Sequence, residues 1–90
     1  MLGIEMESEV RTESGRIDAV VKTKDRIYIF EFKLHGSAEE AMAQIHERRY
    51  FEKYLADSRP TTLVGCAFDP QTRNLGKWLA EPAPAKGNPS

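Results

Sequence analysis

Several chemistries need residues that this chain has little of. It carries one cysteine, Cys66, in 90 residues. A single thiol excludes an intrachain disulfide and a cysteine-rich zinc site. Set in the apolar run TTLVGCAF, it reads as a core residue in a reducing cytoplasm. The two histidines, His35 and His46, lack metal-ligand spacing. No apolar run nears the ~20 residues of a membrane helix, and the acidic opening MLGIEMESE has no secretory-signal character. Neither sign of charge is in excess: thirteen Lys and Arg meet fourteen Asp and Glu, a net −1. The chain is therefore not a basic DNA-coating protein, and a local patch or a divalent cation would have to supply any positive field. Gly15 and Gly65 make no phosphate-cradling loop.

What remains is an ordinary globular balance, 40% hydrophobic and 30% charged, in a length that allows one small domain. The final EPAPAKGNPS is proline-rich and has no large apolar residue, which predicts a domain over 1–80 and a disordered tail over 81–90. Residues 4–12 alternate weakly and suggest an edge strand. Residues 16–23 are β-branched, and 26–34, RIYIFEFKL, form the clearest strand. Two short polar turns imply an antiparallel meander. Ser37 with Glu40 is a capping-box signature, opening a helix that runs without Gly or Pro to about Ala56. Its apolar stripe moves: Ala38, Ala41, Met42 and Ile45 share one face, while Tyr50, Phe51, Tyr54 and Leu55 lie nearly opposite. Either the helix bends or its second half packs on something else. Residues 61–68 predict a buried strand, and 74–79 a short strand or helix whose Trp78 lids the core. The order βββαβ plus a short end implies an α/β domain with a mixed sheet.

The chemistry is concentrated in Asp18, Glu31 and Lys33. Strand alternation puts Glu31 and Lys33 on one face, against Tyr28, Phe30, Phe32 and Leu34 on the other. A hairpin turning at Lys24-Asp25 sets Asp18 directly opposite Glu31. Opposed like charges destabilise a sheet. A hard divalent cation such as Mg²⁺ would offset the repulsion. Lys33 beside it could then orient water or stabilise charge at phosphorus, a phosphodiester-hydrolysis set. The bland alternative is a solvated face in which Lys33 bridges the two acids.

The segments GRID (15–18) and IFEFK (29–33) resemble the D…E-x-K signature of the PD-(D/E)XK nuclease superfamily. The longer string GRIDAVV…IYIFEFKLHGSAEEAMAQIHERRY, continuing through LVGCAFDPQTRNLGKW, looks like the nuclease-like domain at the C-terminus of bacterial AAA-ATPase-like proteins. This resemblance implies a restriction-endonuclease-like core acting on DNA. In that core Asp18, Glu31 and the carbonyl of Phe32 hold Mg²⁺ (or Mn²⁺), and Lys33 activates water. Gln44 matches a motif glutamine, with Tyr50 its companion. Glu9, or Glu5 in its place, falls where a further acid often sits. Arg48 and Tyr50 are candidate nucleic-acid contacts. Only about three residues precede the first expected strand, so the helix that usually opens such a core is expected to be absent or to belong to a larger parent protein.

Two function classes follow: a Mg²⁺-dependent nuclease domain, or a non-catalytic interaction module keeping the fold, in either case with an AAA-type ATPase as associate. Phe51, Tyr54 and Leu55, set away from the first-half stripe, imply a homodimer through the second half of the helix or the first strand.

Overall fold

The computed structural model describes residues 4–12, 15–69 and 71–84. Five strands form one sheet in sequential order: β1 (Glu5–Thr12), β2 (Gly15–Lys22), β3 (Ile27–Leu34), β4 (Thr61–Asp69) and β5 (Asn74–Pro82). All neighbours are antiparallel except β3 and β4, which run parallel. That pair needs a crossover, and helix α1 (Ala38–Arg48) supplies it. The fold is the mixed-sheet α/β core expected, with the restriction-endonuclease-like order of elements.

The capping box forms as the sequence reads. Ser37 Oγ accepts from the Glu40 N–H (3.0 Å), and Glu40 Oε1 accepts from the Ser37 N–H (2.8 Å). The helix stops earlier than expected. Arg49 turns left-handed (φ 52°), and Tyr50–Tyr54 continue as a 3-10 helix. This break resolves the moving stripe. It rotates Tyr50, Phe51 and Tyr54 into the same core as Ile45 and Met42, beside Val20, Ile27, Ile29 and Leu63. Phe51 is 1% exposed and Tyr54 6%. Burying such side chains stabilises the fold by roughly 1.5–3 kcal/mol each. Phe51 and Tyr54 therefore need no second chain to cover them, and Leu55 packs half-buried against the same core. The dimer expectation that rested on these residues is withdrawn for this surface.

Two other expectations change. β5 is a strand, and Trp78 on it is 61% exposed, so it lids nothing. The same strand pairs Glu81 with Leu63 and Pro82 with Thr62, and the Ala83 N–H donates to Thr61 O (2.9 Å). Ordered pairing thus runs beyond residue 80, and the rest of the expected tail, 85–90, lies outside the described residues.

The helix lies close on the sheet at Gly65. A Cβ there would come within 2.8 Å of Met42 N and 2.9 Å of Ala38 O, both helix backbone. Gly65→Ala should push α1 outward and destabilise the domain by about 1–3 kcal/mol, measured by urea unfolding. At its far edge the helix is tied to β5 by Lys77 with Glu39 and by His46 with Glu81. Hydrogen bonding from Lys77 holds the Glu39 carboxyl below its ordinary range.

Candidate active site

The β2–β3 pairing has the register expected from a turn at Lys24-Asp25: Lys22↔Ile27, Val21↔Tyr28, Val20↔Ile29 and Ala19↔Phe30. Continued one step, it sets Asp18 opposite Glu31. The ladder stops there, and the Asp18 side chain takes over. Its Oδ2 accepts from the Phe32 N–H at 2.8 Å. The Asp18 carboxylate is thereby held against the Glu31–Phe32 peptide. The β1–β2 ladder also pauses at this row, between Ser8↔Ala19 and Val10↔Ile17. The skipped pair is Glu9 and Asp18. Glu9 has a left-handed backbone (φ 54°) and an exposed side chain. Glu9, Asp18 and Glu31 thus occupy one row across three strands, with the regular backbone pairing interrupted along it. Among the described residues, no three His, Cys, Asp or Glu side chains converge as a metal cluster. The gathered acids are two, Asp18 and Glu31.

Glu31 is a carboxylate on the core side of β3, 5% exposed, in line with Ile27 and Ile29. A buried carboxylate needs hydrogen bonds or charge partners to remain ionised. Gln44, on α1, contributes one: its Nε2 donates to Glu31 Oε2 at 2.7 Å. The other end of the same amide accepts from Lys33 Nζ at 2.8 Å. Gln44 Nε2 also lies 3.3 Å from the Tyr50 hydroxyl. One amide therefore links the acid, the amine and the phenol, and its orientation is set by needing a donor toward Glu31 and an acceptor toward Lys33. Gln44→Leu should break both contacts and lower stability by about 1–3 kcal/mol, read from the urea midpoint.

The predicted residues are only partly brought together. Asp18, Glu31, Lys33, Gln44, Tyr50 and the backbone of Phe32 share the site. Tyr50 is 2% exposed, so it acts from inside and does not offer its ring to nucleic acid, correcting that expectation. Arg48 is exposed in the last turn of α1, where its positive charge faces the negative end of the helix. Cys66 is buried, which pushes its thiol up and away from reactivity. The sequence reading missed a hollow of about 340 Å³ at the C-terminal ends of β3 and β4, lined in part by His35, Gly36, Phe68, Asp69 and Gln71. Open α/β sheets bind ligands outside the carboxyl ends of their parallel strands. The parallel pairing was the available signal.

The family model of the PD-(D/E)XK nuclease superfamily matches residues 1–78. The chain belongs to this superfamily. Among curated proteins, it is 33% identical over 82 residues to an uncharacterized protein in the vnfD 5' region of Azotobacter chroococcum mcd 1. That match covers 89% of the chain and 16% of the relative, so the chain spans about a sixth of the relative's length. No solved structure matches. No helix among the described residues is long and apolar enough to cross a membrane.

Proposed function

We propose that the chain is a Mg²⁺-dependent nuclease domain that hydrolyses phosphodiester bonds of DNA. The observation that carries this reading is the Glu31–Gln44–Lys33 chain beside Asp18. The pairing of an almost fully buried carboxylate with a second carboxylate at the adjacent register position costs energy in an apo protein. Such strain is characteristic of sites that hold something else. The donor set is all oxygen, which suits a hard cation and not zinc. Asp18, Glu31 and the Phe32 carbonyl would hold Mg²⁺ or Mn²⁺, with Glu9 the nearest further acid in the row. The bound cation would polarise the scissile phosphate and lower the pKa of a coordinated water.

The chain's own residues would do the rest. Lys33 orients the attacking water with its ammonium and stabilises negative charge developing on the phosphate oxygens. Gln44 fixes where that ammonium stands relative to Glu31. Tyr50 buttresses Gln44 from the core. Arg48, exposed on α1, is available to a phosphate of the flanking strand. The domain would work in the cytoplasm, where a lone thiol stays reduced, and in association with an AAA-type ATPase.

The test is cleavage of plasmid DNA, single-stranded DNA and RNA by the purified chain, with Mg²⁺, Mn²⁺ or chelator. Metal-dependent loss of DNA supports the reading. RNA cleavage alone would reassign the substrate. A second reading, a non-catalytic interaction module on the same fold, is favoured by large apolar side chains left exposed, Leu34 and Trp78 among them. It predicts no cleavage under any of these conditions.

A further inference from the structure

None of the acids or their partners lines the hollow at the C-terminal ends of β3 and β4. Two connections wall it. His35 and Gly36 come from the turn between β3 and α1, and Gln71 from the turn that follows Asp69 at the end of β4. Ala67 and Gly76 line the sheet between them. Its volume of about 340 Å³ is at the low end for small-ligand sites.

Strand alternation places this hollow beside Lys33. β3 and β4 keep regular parallel register through Lys33↔Ala67 and Leu34↔Phe68. Ala67 therefore shares the face of Lys33, and Asp69, the next alternate residue, falls on it too. The irregularity between β4 and β5 does not disturb this, because the extra residue is on β5: Cys66 pairs with Trp78, but Phe68 with Leu75. At ~4.8 Å between strands and ~3.3 Å per residue, Asp69 stands roughly 8 Å from Lys33 along the sheet. On the other wall, a Cβ at Gly36 would come within 3.3 Å of Lys33 Cβ.

We propose that this hollow receives one unpaired nucleobase of the strand being cut, and that Asp69 makes it select bases with an exocyclic amino group. The proposal rests on the nuclease reading, which puts a phosphate at Lys33. One nucleotide spans the distance from that phosphate to a base edge at Asp69. Charge decides against a second phosphate in the hollow. Among the described residues no lysine or arginine lines it, and the Asp69 carboxylate repels an anion.

Hydrogen-bonding capacity favours a base. Asp69 Oδ1 accepts from the Gln71 N–H at 2.9 Å, which sets the direction of the carboxylate. The Arg73 N–H donates to Asp69 O at 2.8 Å and closes the turn. A carboxylate has about four lone-pair sites, so capacity remains for a base amino group. The Gln71 amide can serve the ring nitrogen beside it. His35, held left-handed at the rim (φ 60°), brings a ring of the kind on which bases stack. Adenine, cytosine and guanine carry an amino group. Thymine presents carbonyl oxygens instead, which face a carboxylate unfavourably. A paired base has this edge occupied, so the hollow takes a base only from a single strand or one turned out of the stack.

The test is fluorescence anisotropy of labelled oligo(dA), oligo(dC) and oligo(dT) with the full 90-residue chain in Ca²⁺, with a gel to confirm that they stay intact. The parent should bind oligo(dA) and oligo(dC) about 10-fold or more tighter than oligo(dT). In Asp69→Asn the ratio should fall to near one, because an amide offers thymine a donor. Its oxygen can still accept from the Gln71 N–H, so the turn is kept. Gly76→Leu is the second variant. A Cβ at Gly76 meets only Ala67, at an ordinary 3.7 Å. The leucine should fill the hollow and weaken oligo(dA) and oligo(dC) to the level of oligo(dT). Cleavage of the same oligonucleotides in Mg²⁺ separates this inference from the reading beneath it. Base preference without cleavage keeps the base site and rejects the nuclease, and cleavage without preference does the reverse. Equal binding of all three, a preference that survives Asp69→Asn, or no binding of any oligonucleotide would each overturn the proposal.

Discussion

Lys33→Ala should reduce metal-dependent DNA cleavage about 10²–10⁴-fold while leaving metal binding nearly unchanged. The separation follows from the geometry. Lys33 Nζ bonds the amide oxygen of Gln44, and the amide nitrogen of Gln44 in turn donates to Glu31. Removing the amine takes away the group that positions water and meets the phosphate charge, but it leaves both carboxylates where they are. The loss should appear in kcat more than in KM, since the interaction is made chiefly in the transition state. Cleavage that survives Lys33→Ala would reject this role for the lysine and leave the class of reaction standing.

Asp18→Asn is expected to have the second large effect, and in two directions. Without metal, the variant should be at least as stable as the parent. Asn keeps an oxygen able to accept the Phe32 N–H, and it removes the like charge beside Glu31. With metal, the parent should gain stability by mass action, ~2.7 kcal/mol at a hundred times Kd. For a domain of this size each kcal/mol is worth about 4–8 °C in Tm. The parent's Tm should therefore rise by roughly 10 °C or more, and the variant's should not move. Thermal melts over a Mn²⁺ titration check both halves. A metal-induced rise that persists in Asp18→Asn would place the cation elsewhere.

The legible parts of this molecule are those that local chemistry determines. The register of β2 on β3 follows from a short turn, because a two-residue connection leaves little choice of pairing. Ser37 and Glu40 mark the helix start because each satisfies the other's backbone N–H. The helix end carries no such mark. Arg49 adopts a left-handed conformation that glycine usually fills. It is supported by its own contacts, a bond to Glu52 (2.8 Å) and its guanidinium over the Phe51 ring (5.4 Å). Those are tertiary consequences of where Phe51 goes, which a helical wheel does not contain.

The site shows the same division. Alternation tells that Glu31 and Lys33 share a side of β3, opposite Phe30 and Phe32. It does not tell which side the helix covers. The acid-bearing side is the packed one, and the aromatic side is open, the reverse of what hydrophobicity alone favours. The contact between Gln44 and both Glu31 and Lys33 spans a strand, a turn and two turns of helix. Only the resemblance brought Gln44 forward as a candidate. β5 was undecided between strand and helix because its residues are almost all exposed, leaving no apolar period to read.

Whether one cation binds between Asp18 and Glu31 can be read from anomalous diffraction of a crystal grown with Mn²⁺. The expected result is a manganese peak beside the Asp18 and Glu31 carboxylates and the Phe32 carbonyl, with Lys33 Nζ nearby and not a ligand. A manganese ion held by other side chains, or both carboxylates left without one at saturating metal, would contradict it.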